Sequence, residues 1–204
     1  MSSSEAVQGG PCGVNAHLKV PCPVAGMAAG GDSIDDMGVL RHGAMPDLLS
    51  GIRAPSTLGS FLRSFTWGNV RQLDAVARRF LAELTGWAPL LPGSDVLAFI
   101  GMDSMQKRVC GHARQGAGFG HRQAAWLTMA AICHSLTRAA GALAGGFHAR
   151  AREATIRSDL IRVAAPIARH RRGHIILHLP EGWHREHEWM NPSEAACGPP
   201  AAAA

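Results

Sequence analysis

An acidic residue follows the most strand-like run of the chain. Residues 96–100 read VLAFI, a short apolar run with the length and composition of a buried β-strand. Asp103 comes next, followed by the basic pair Lys107 and Arg108 and by a glycine-rich turn at 116–120. A carboxylate at the end of a buried strand, beside basic residues, can hold a divalent metal next to a phosphate. Composition alone favours the alternative, a strand, a turn and an exposed aspartate.

Longer stretches of the chain carry a family resemblance. They read NAHLKVPCPVAGMAAGGDSIDDMGVLRHG, GIRAPSTLGSFLRSFTWGNVRQLDAVARRFLAEL, HARQGAGFG, AAWLTMAAICHSLTRAAGALAGGFHARAREATIR and LHLPEGWHREHEW. On these stretches the chain resembles the group-one DDE-type transposases of bacterial insertion sequences. The resemblance is discontinuous: residues up to about 120 resemble the first part of the family and those from about 122 the last, with the seam near His121. It implies that a large central portion of the catalytic domain is missing.

The resemblance implies a chemistry as well as a fold. Such transposases are similar to RNase H, and three carboxylates hold two Mg²⁺ ions that cleave and transfer phosphodiester bonds. The first acidic motif of the family, D-x-D-D-T, reads GMDSM here, so Asp103 is the one match for a catalytic acid and Mg²⁺ ligand. The second and third acids have no counterpart, because no acid lies between Asp103 and Glu153 and the later ones fall in non-catalytic stretches. We therefore expect no strand cleavage or transfer, and no productive Mg²⁺ binding.

The positive charge points to a nucleic-acid partner. The formal net charge is +5, and the basic residues are arginines except Lys19 and Lys107, which suits bidentate contact with phosphate. Amphipathic helix patterns before and after a glycine-containing break at 66–69 resemble a helix-turn-helix. The alternative is a helical hairpin with a solvated basic face, and the family resemblance favours DNA contact. The expected DNA-binding residues are Arg53, Arg63, Arg71, Arg78 and Arg79, with Arg150, Arg152 and Arg157 from the basic segment 148–174.

Local patterns predict the other elements. Residues 14–31, with Pro21 and Pro23, are predicted to be extended or irregular apart from one helical turn at 24–29. Ser33 followed by Asp36 predicts a helix start; Asp35 and Asp36 could bind a metal, but first-turn acids more often complement the helix dipole. The remaining predictions are a short helix at 46–49, a long apolar helix at 124–143, a second helix at 149–163, a strand at 174–179 and a polar loop at 183–189.

These patterns predict an α+β, mostly helical fold. It combines an N-terminal helical, helix-turn-helix-like region with an incomplete RNase H-like α/β catalytic domain. The predicted divisions are a disordered N-terminus at 1–13, a DNA-binding-like region at 14–90, the first strands of the RNase H-like domain at 91–121, its C-terminal helices and strand at 122–192 and a low-complexity tail at 193–204. Because most of the sheet is missing, the helix at 124–143 is expected to be partly uncovered, which favours dimerisation or aggregation.

Location and partners follow from composition and from the resemblance. Five cysteines without a CxxC pair indicate free thiols in a reducing cytoplasm, and no secretory signal is visible. Arg138 argues against a membrane span at 124–143, since an arginine in hydrocarbon costs at least ~2.5 kcal/mol. The expected protein is cytoplasmic and nucleoid-associated, and it binds double-stranded DNA at terminal inverted repeats.

Three functional interpretations stay open: an inactive transposase, a non-catalytic regulator that pairs with itself or with an intact transposase, and a small metalloenzyme using His184, Glu186 and His187.

Overall fold

The computed structural model describes residues 16–90, 120–169 and 175–198. This part of the chain is mostly helical with one two-stranded sheet, which confirms the mostly helical α+β expectation. The helices are α1 (Ala16–Lys19), α2 (Pro21–Ala28), α3 (Met45–Leu48), α4 (Pro55–Arg63), α5 (Trp67–Trp87), α6 (His121–Ala144), α7 (Glu153–Ile156) and α8 (Glu186–Cys197). A 3-10 helix spans Asp35–Arg41, a π-helical turn spans Arg157–Ile161, and β1 (Ile167–Arg169) pairs antiparallel with β2 (Ile175–Leu177).

Five of the described helices, α2, α4, α5, α7 and α8, pack on α6. Its first half buries Ala125, Met129 and Cys133 against α2, α4 and α5. Its second half buries the small residues Ala139, Gly141, Ala142 and Ala144, which let α7 and α8 approach closely. The α6 helix remains partly uncovered, since Leu136 is 38% exposed. On its buried face, helices supply the apolar surface that a sheet was expected to supply.

The α4 and α5 helices follow the predicted amphipathic patterns. Pro55 occupies the first turn of α4, where its missing N–H is not needed. The α5 helix starts from a capping box: the Asn69 N–H donates to the Thr66 hydroxyl (3.3 Å), and the Thr66 N–H donates to the Asn69 side chain (3.0 Å). The predicted break at 66–69 therefore also starts the second helix. The two helices and the connection between them bury Phe61, Leu62, Phe65, Val70 and Leu73 in the main core.

The α2 helix is longer than the single helical turn predicted at 24–29, and the expectation of irregular chain was wrong for α1 and for residues 21–23. Pro21 lies in its first turn, so the ring removes no intrahelical hydrogen bond. A second, smaller core of Cys22, Met37, Leu40 and Leu58 joins α2 to the 3-10 helix and to α4. Gly26 permits this contact, because a Cβ at that position would clash with the Met37 thioether.

The predicted helix at 149–163 is interrupted. The chain leaves α6 through Gly145 and Gly146, which have positive φ angles of 74° and 50°, and it turns before α7 begins. The Arg138 guanidinium donates to the carbonyl oxygens of Ala149 (2.5 Å) and Ala151 (2.7 Å). These carbonyls are the acceptors that a continuous helix would have used internally, so the arginine stabilises a turn in place of the predicted first helical turn.

Two arginines attach the C-terminal region to α2. The Arg157 Nε donates to the Ala28 carbonyl (3.1 Å), and the Arg162 Nε donates to the Ala29 carbonyl (3.1 Å). These carbonyls lie at the C-terminal end of α2, where the helix leaves acceptors unpaired and its dipole favours cations. The two bonds connect residues more than a hundred positions apart in the sequence.

The segment at 183–189, predicted to be a polar loop, instead leads into α8, which begins at Glu186. The Arg185 guanidinium lies 3.2 Å from the Asp159 carboxylate, and the fully buried His148 places its Nε2 3.2 Å from the same carboxylate. These contacts at its start, together with packing on α6, stabilise a helix that local composition does not indicate. The strand predicted at 174–179 is confirmed at Ile175–Leu177, whereas its partner β1 was not predicted.

Candidate nucleic-acid interface

The outer face of α5 gathers three of the predicted DNA-binding residues. Val70 and Leu73 are buried on α6, whereas Arg71, Arg78 and Arg79 are exposed. Arg71 and Arg78 are seven positions apart, so they lie on one line along the helix about two turns apart. Ala75 is exposed between them and Ala82 is exposed one turn beyond Arg78, so small side chains leave the helix backbone accessible beside the guanidinium groups.

The charge of this face is only weakly neutralised within the protein. Arg78 lies 2.8 Å from the Asp74 carboxylate, and both side chains are open to solvent. An exposed pair at this spacing contributes only about 0.3–0.5 kcal/mol, so a phosphate can compete for the guanidinium. Among residues 16–90, 120–169 and 175–198, no carboxylate forms an ion pair with Arg71 or Arg79. The α5 helix therefore presents a basic surface that can contact phosphates.

The other predicted arginines of the N-terminal region are less available. The Arg63 Nη2 donates to the Ser60 hydroxyl (2.8 Å) at the end of α4, although the side chain remains exposed. Arg53 is half-buried, and its Nε is buried without a hydrogen-bond partner in the described part of the chain. Neither lies on the outer face of α5.

The predicted arginines of the C-terminal region divide into two groups. Arg150 and Arg152 are exposed and can contact a ligand. The Arg157 side chain is used inside the fold, since its Nη2 also lies 2.7 Å from the Glu153 carboxylate in addition to its bond to α2. Arg157 is therefore a structural residue rather than part of an exposed basic face.

Sequence reasoning did not select Arg122, which lies in the first turn of α6 beside a cleft. A signal for it exists in the sequence. Cations are unfavourable at the N-terminal end of a helix, where the dipole is positive. A basic residue placed directly before a long apolar helix pattern is therefore a candidate for binding an anion.

The acidic residues that the sequence offers as metal ligands lie partly outside the described residues. Asp103, with the strand-like run before it, lies outside the described residues. Asp36 accepts hydrogen bonds from the Ser33 hydroxyl (2.6 Å) and the Ser33 N–H (3.0 Å), as the first-turn interpretation predicts. The Ser33 hydroxyl, together with the Asp32 side chain and the Ser33 N–H, lowers the pKa of the Asp36 carboxyl.

The described residues do not fit a metal centre. Across 16–90, 120–169 and 175–198, no three His, Cys, Asp or Glu side chains are placed to share an ion. This applies to the cluster of His184, Glu186 and His187 and to Asp35 with Asp36. We therefore assign no Mg²⁺ site to this part of the chain.

Comparison with models of known families, with curated proteins and with solved structures finds no match to this chain. A search of the described helices also finds none that is long and apolar enough to cross a membrane.

Proposed function

We propose that this chain is an internally shortened derivative of a DDE transposase that binds double-stranded DNA without cutting it. The resemblance supports the ancestry, and the family's target implies that terminal inverted repeats are the DNA it binds. The observation that carries the DNA-binding part is the row of exposed arginines on α5. The helix that bears them starts at a capping box and is anchored on α6, so the guanidinium groups project from a fixed support.

The absence of cleavage is argued from the sequence. Two-metal phosphoryl transfer needs several carboxylates, because hard Mg²⁺ ions prefer oxygen ligands and two ions must be fixed together. Asp103 is the one counterpart of the family's three acids, so the chain lacks the ligand set. Incubating the purified chain with supercoiled plasmid and Mg²⁺ should give no nicks. Nicking by the pure chain that disappears in Asp103→Ala would contradict this part of the proposal.

DNA binding is tested by fluorescence anisotropy with a duplex carrying the terminal repeat and with a scrambled duplex, across a series of salt concentrations. The logarithm of the binding constant falls linearly with the logarithm of the salt concentration, and each lost phosphate contact should make that slope less negative by about 0.9. Changing Arg71, Arg78 and Arg79 together to Ala should therefore make the slope less negative by about 2–3. Arg41→Ala is the control, because Arg41 is exposed in the 3-10 helix, away from α5.

The two duplexes decide how much of the ancestral recognition survives. A preference for the repeat that persists as salt rises would mean that α5 or its neighbours still contact bases. Equal, steeply salt-dependent affinity for both duplexes would reduce the function to non-specific phosphate binding. An unchanged slope in the triple variant would remove α5 as the interface.

A second candidate function is that of a non-catalytic regulator that associates with itself or with an intact transposase. It is favoured by large apolar side chains exposed on α5, of which Val76 is 53% and Trp87 72% accessible. Their spacing places them on one side of the helix, next to its buried face. Analytical ultracentrifugation should then show a dimer that dissociates in Val76→Glu, Trp87→Glu. A monomer at all concentrations would exclude self-association.

A further inference from the structure

A cleft of about 540 Å³ lies between α4, the first two turns of α6 and the residues that precede the 3-10 helix. Its volume falls within the roughly 300–1,000 Å³ of small-molecule sites. The lining combines apolar side chains with two arginines, and it includes Ile34, Leu62, Trp126, Leu127, Arg63 and Arg122. The cleft does not include the outer face of α5, so it is separate from the proposed DNA interface.

The walls of the cleft are fixed by the core. Leu62 belongs to the main core cluster, and Trp126 packs against both that cluster and the smaller one. The segment that carries Asp32 is held by the hydrogen bonds from Ser33 to Asp36. A site built on fixed walls loses little conformational freedom when a ligand binds.

The two arginines that line the cleft are suited to an anion. The Arg63 Nη2 is held by the Ser60 hydroxyl at 2.8 Å, and its Nη1 lies 3.3 Å from the point where a Cβ of Gly59 would be. The guanidinium is thus folded across a position that has no side chain. Arg122 extends from the first turn of α6, where the helix dipole disfavours a cation. A phosphate between the two would offset that unfavourable placement and accept bidentate hydrogen bonds.

The carboxylate of Asp32 restricts what the ligand can be. A simple anion would be repelled by it, whereas a ligand that carries both a phosphate and N–H donors can pair with the guanidinium groups and with the carboxylate that line the cleft. The apolar part of the lining, which includes Ile34, Leu62 and Trp126, suits a planar ring. We propose that the cleft binds a nucleotide with an amino-substituted base, with the phosphate at Arg63 and Arg122 and the amino group at Asp32.

The ligand could come from two sources with the same chemistry, a free mononucleotide or an unpaired nucleotide of a DNA strand. Isothermal titration calorimetry of the full chain separates them, with dAMP as one probe and a short 5′-phosphorylated single-stranded oligonucleotide rich in dA as the other. Saturable binding of dAMP about as tight as that of the oligonucleotide would indicate a free nucleotide. Much tighter binding of the oligonucleotide, with dAMP as a competitor, would indicate a DNA strand.

Further probes and variants test each part of the site. dAMP should bind at least about tenfold more tightly than deoxyadenosine or inorganic phosphate, because each of these lacks one end of the ligand. Arg122→Gln and, separately, Arg63→Gln should weaken dAMP binding by about tenfold or more. Asp32→Asn should reduce the preference for dAMP over dTMP. The control Arg41→Gln removes the same charge outside the cleft and should leave binding unchanged.

Three results would overturn the proposal: no saturable binding of dAMP or the oligonucleotide, binding that both arginine variants leave intact, or inorganic phosphate binding as tightly as dAMP. Circular dichroism of each variant shows whether it is folded. The mononucleotide titration does not depend on α5. Loss of duplex binding with retained dAMP binding would therefore contradict only the proposed function, and the reverse result would contradict only the cleft.

Discussion

Gly141 lies where the C-terminal region approaches α6 most closely, and its replacement by alanine tests that packing. A Cβ at this position would lie 2.8 Å from the His148 carbonyl oxygen and 2.6 Å from the Ile156 Cδ1. The Ile156 methyl is the end of a side chain, but that side chain is also fully buried. The carbonyl cannot move freely, because it accepts a hydrogen bond from the Ala151 N–H (3.2 Å) and belongs to a residue that is fully buried.

The expected magnitude is the difference between two effects. Replacing an interior helical glycine by alanine favours the helix by up to about 1 kcal/mol. Overpacking a filled contact costs about 1–3 kcal/mol, and here one of the two obstructing atoms is backbone. We therefore expect Gly141→Ala to lower the free energy of unfolding by about 1–2 kcal/mol.

Gly86→Ala is the matched control, because Gly86 is also helical but a Cβ there would meet nothing within 4 Å. It should raise the free energy of unfolding by up to about 1 kcal/mol, and by less if the end of α5 frays. Urea unfolding followed by circular dichroism measures both variants against the unmodified chain. If Gly141→Ala were as stable as the unmodified chain while Gly86→Ala behaved as expected, the close approach of His148 and Ile156 to α6 would be refuted.

Three further outcomes are expected from single side chains. Ser33→Ala should raise the pKa of the Asp36 carboxyl toward its ordinary value, as measured by NMR titration, because the largest cause of the lowered pKa is the Ser33 hydroxyl. Because the pKa of Asp36 is lower in the folded chain than in the unfolded chain, the ionised carboxylate stabilises the fold at pH values above its unfolded pKa. This stability is lost as the pH falls through its folded pKa. An unchanged Asp36 pKa in Ser33→Ala would contradict this prediction. Arg138→Gln should destabilise the fold by about 1–3 kcal/mol, because two carbonyl acceptors lose their charged donor. An unchanged free energy of unfolding in the same urea assay would mean that the turn at 149–151 does not depend on Arg138. Burial raises the pKa of the Cys133 thiol, so it should react with iodoacetamide far more slowly than the exposed Cys197; equal labelling of the two peptides in mass spectrometry would mean that α6 is not covered.

The sequence by itself determined the helices whose apolar pattern agrees with their tertiary environment. The α4 and α5 helices and the long α6 helix were predicted within a few residues, because a capping signal and a regular apolar face act locally. The Ser33 to Asp36 helix start is another such case, since both partners lie within one turn. The strand at 175–177 was also found from its short β-branched run.

The tertiary structure decided the segments whose local pattern was ambiguous. Residues 149–163 have a helical pattern, but the Arg138 side chain takes the carbonyls that a first turn would use. Residues 21–28 carry two prolines, yet the helix forms because Pro21 falls in the first turn and Gly26 fits against Met37. A local reading cannot find either contact, because the partners are distant in sequence or depend on where a helix begins.

The roles of the arginines show the same division most clearly. The sequence determined that the chain is basic and that its positive charge is almost entirely arginine, which indicates a phosphate-bearing partner. It could not separate Arg157, which binds the end of α2, from Arg71 and Arg79, which face solvent. A guanidinium is equally suited to a helix carbonyl and to a phosphate, so only the packing of the helices on α6 decides which of the two it meets.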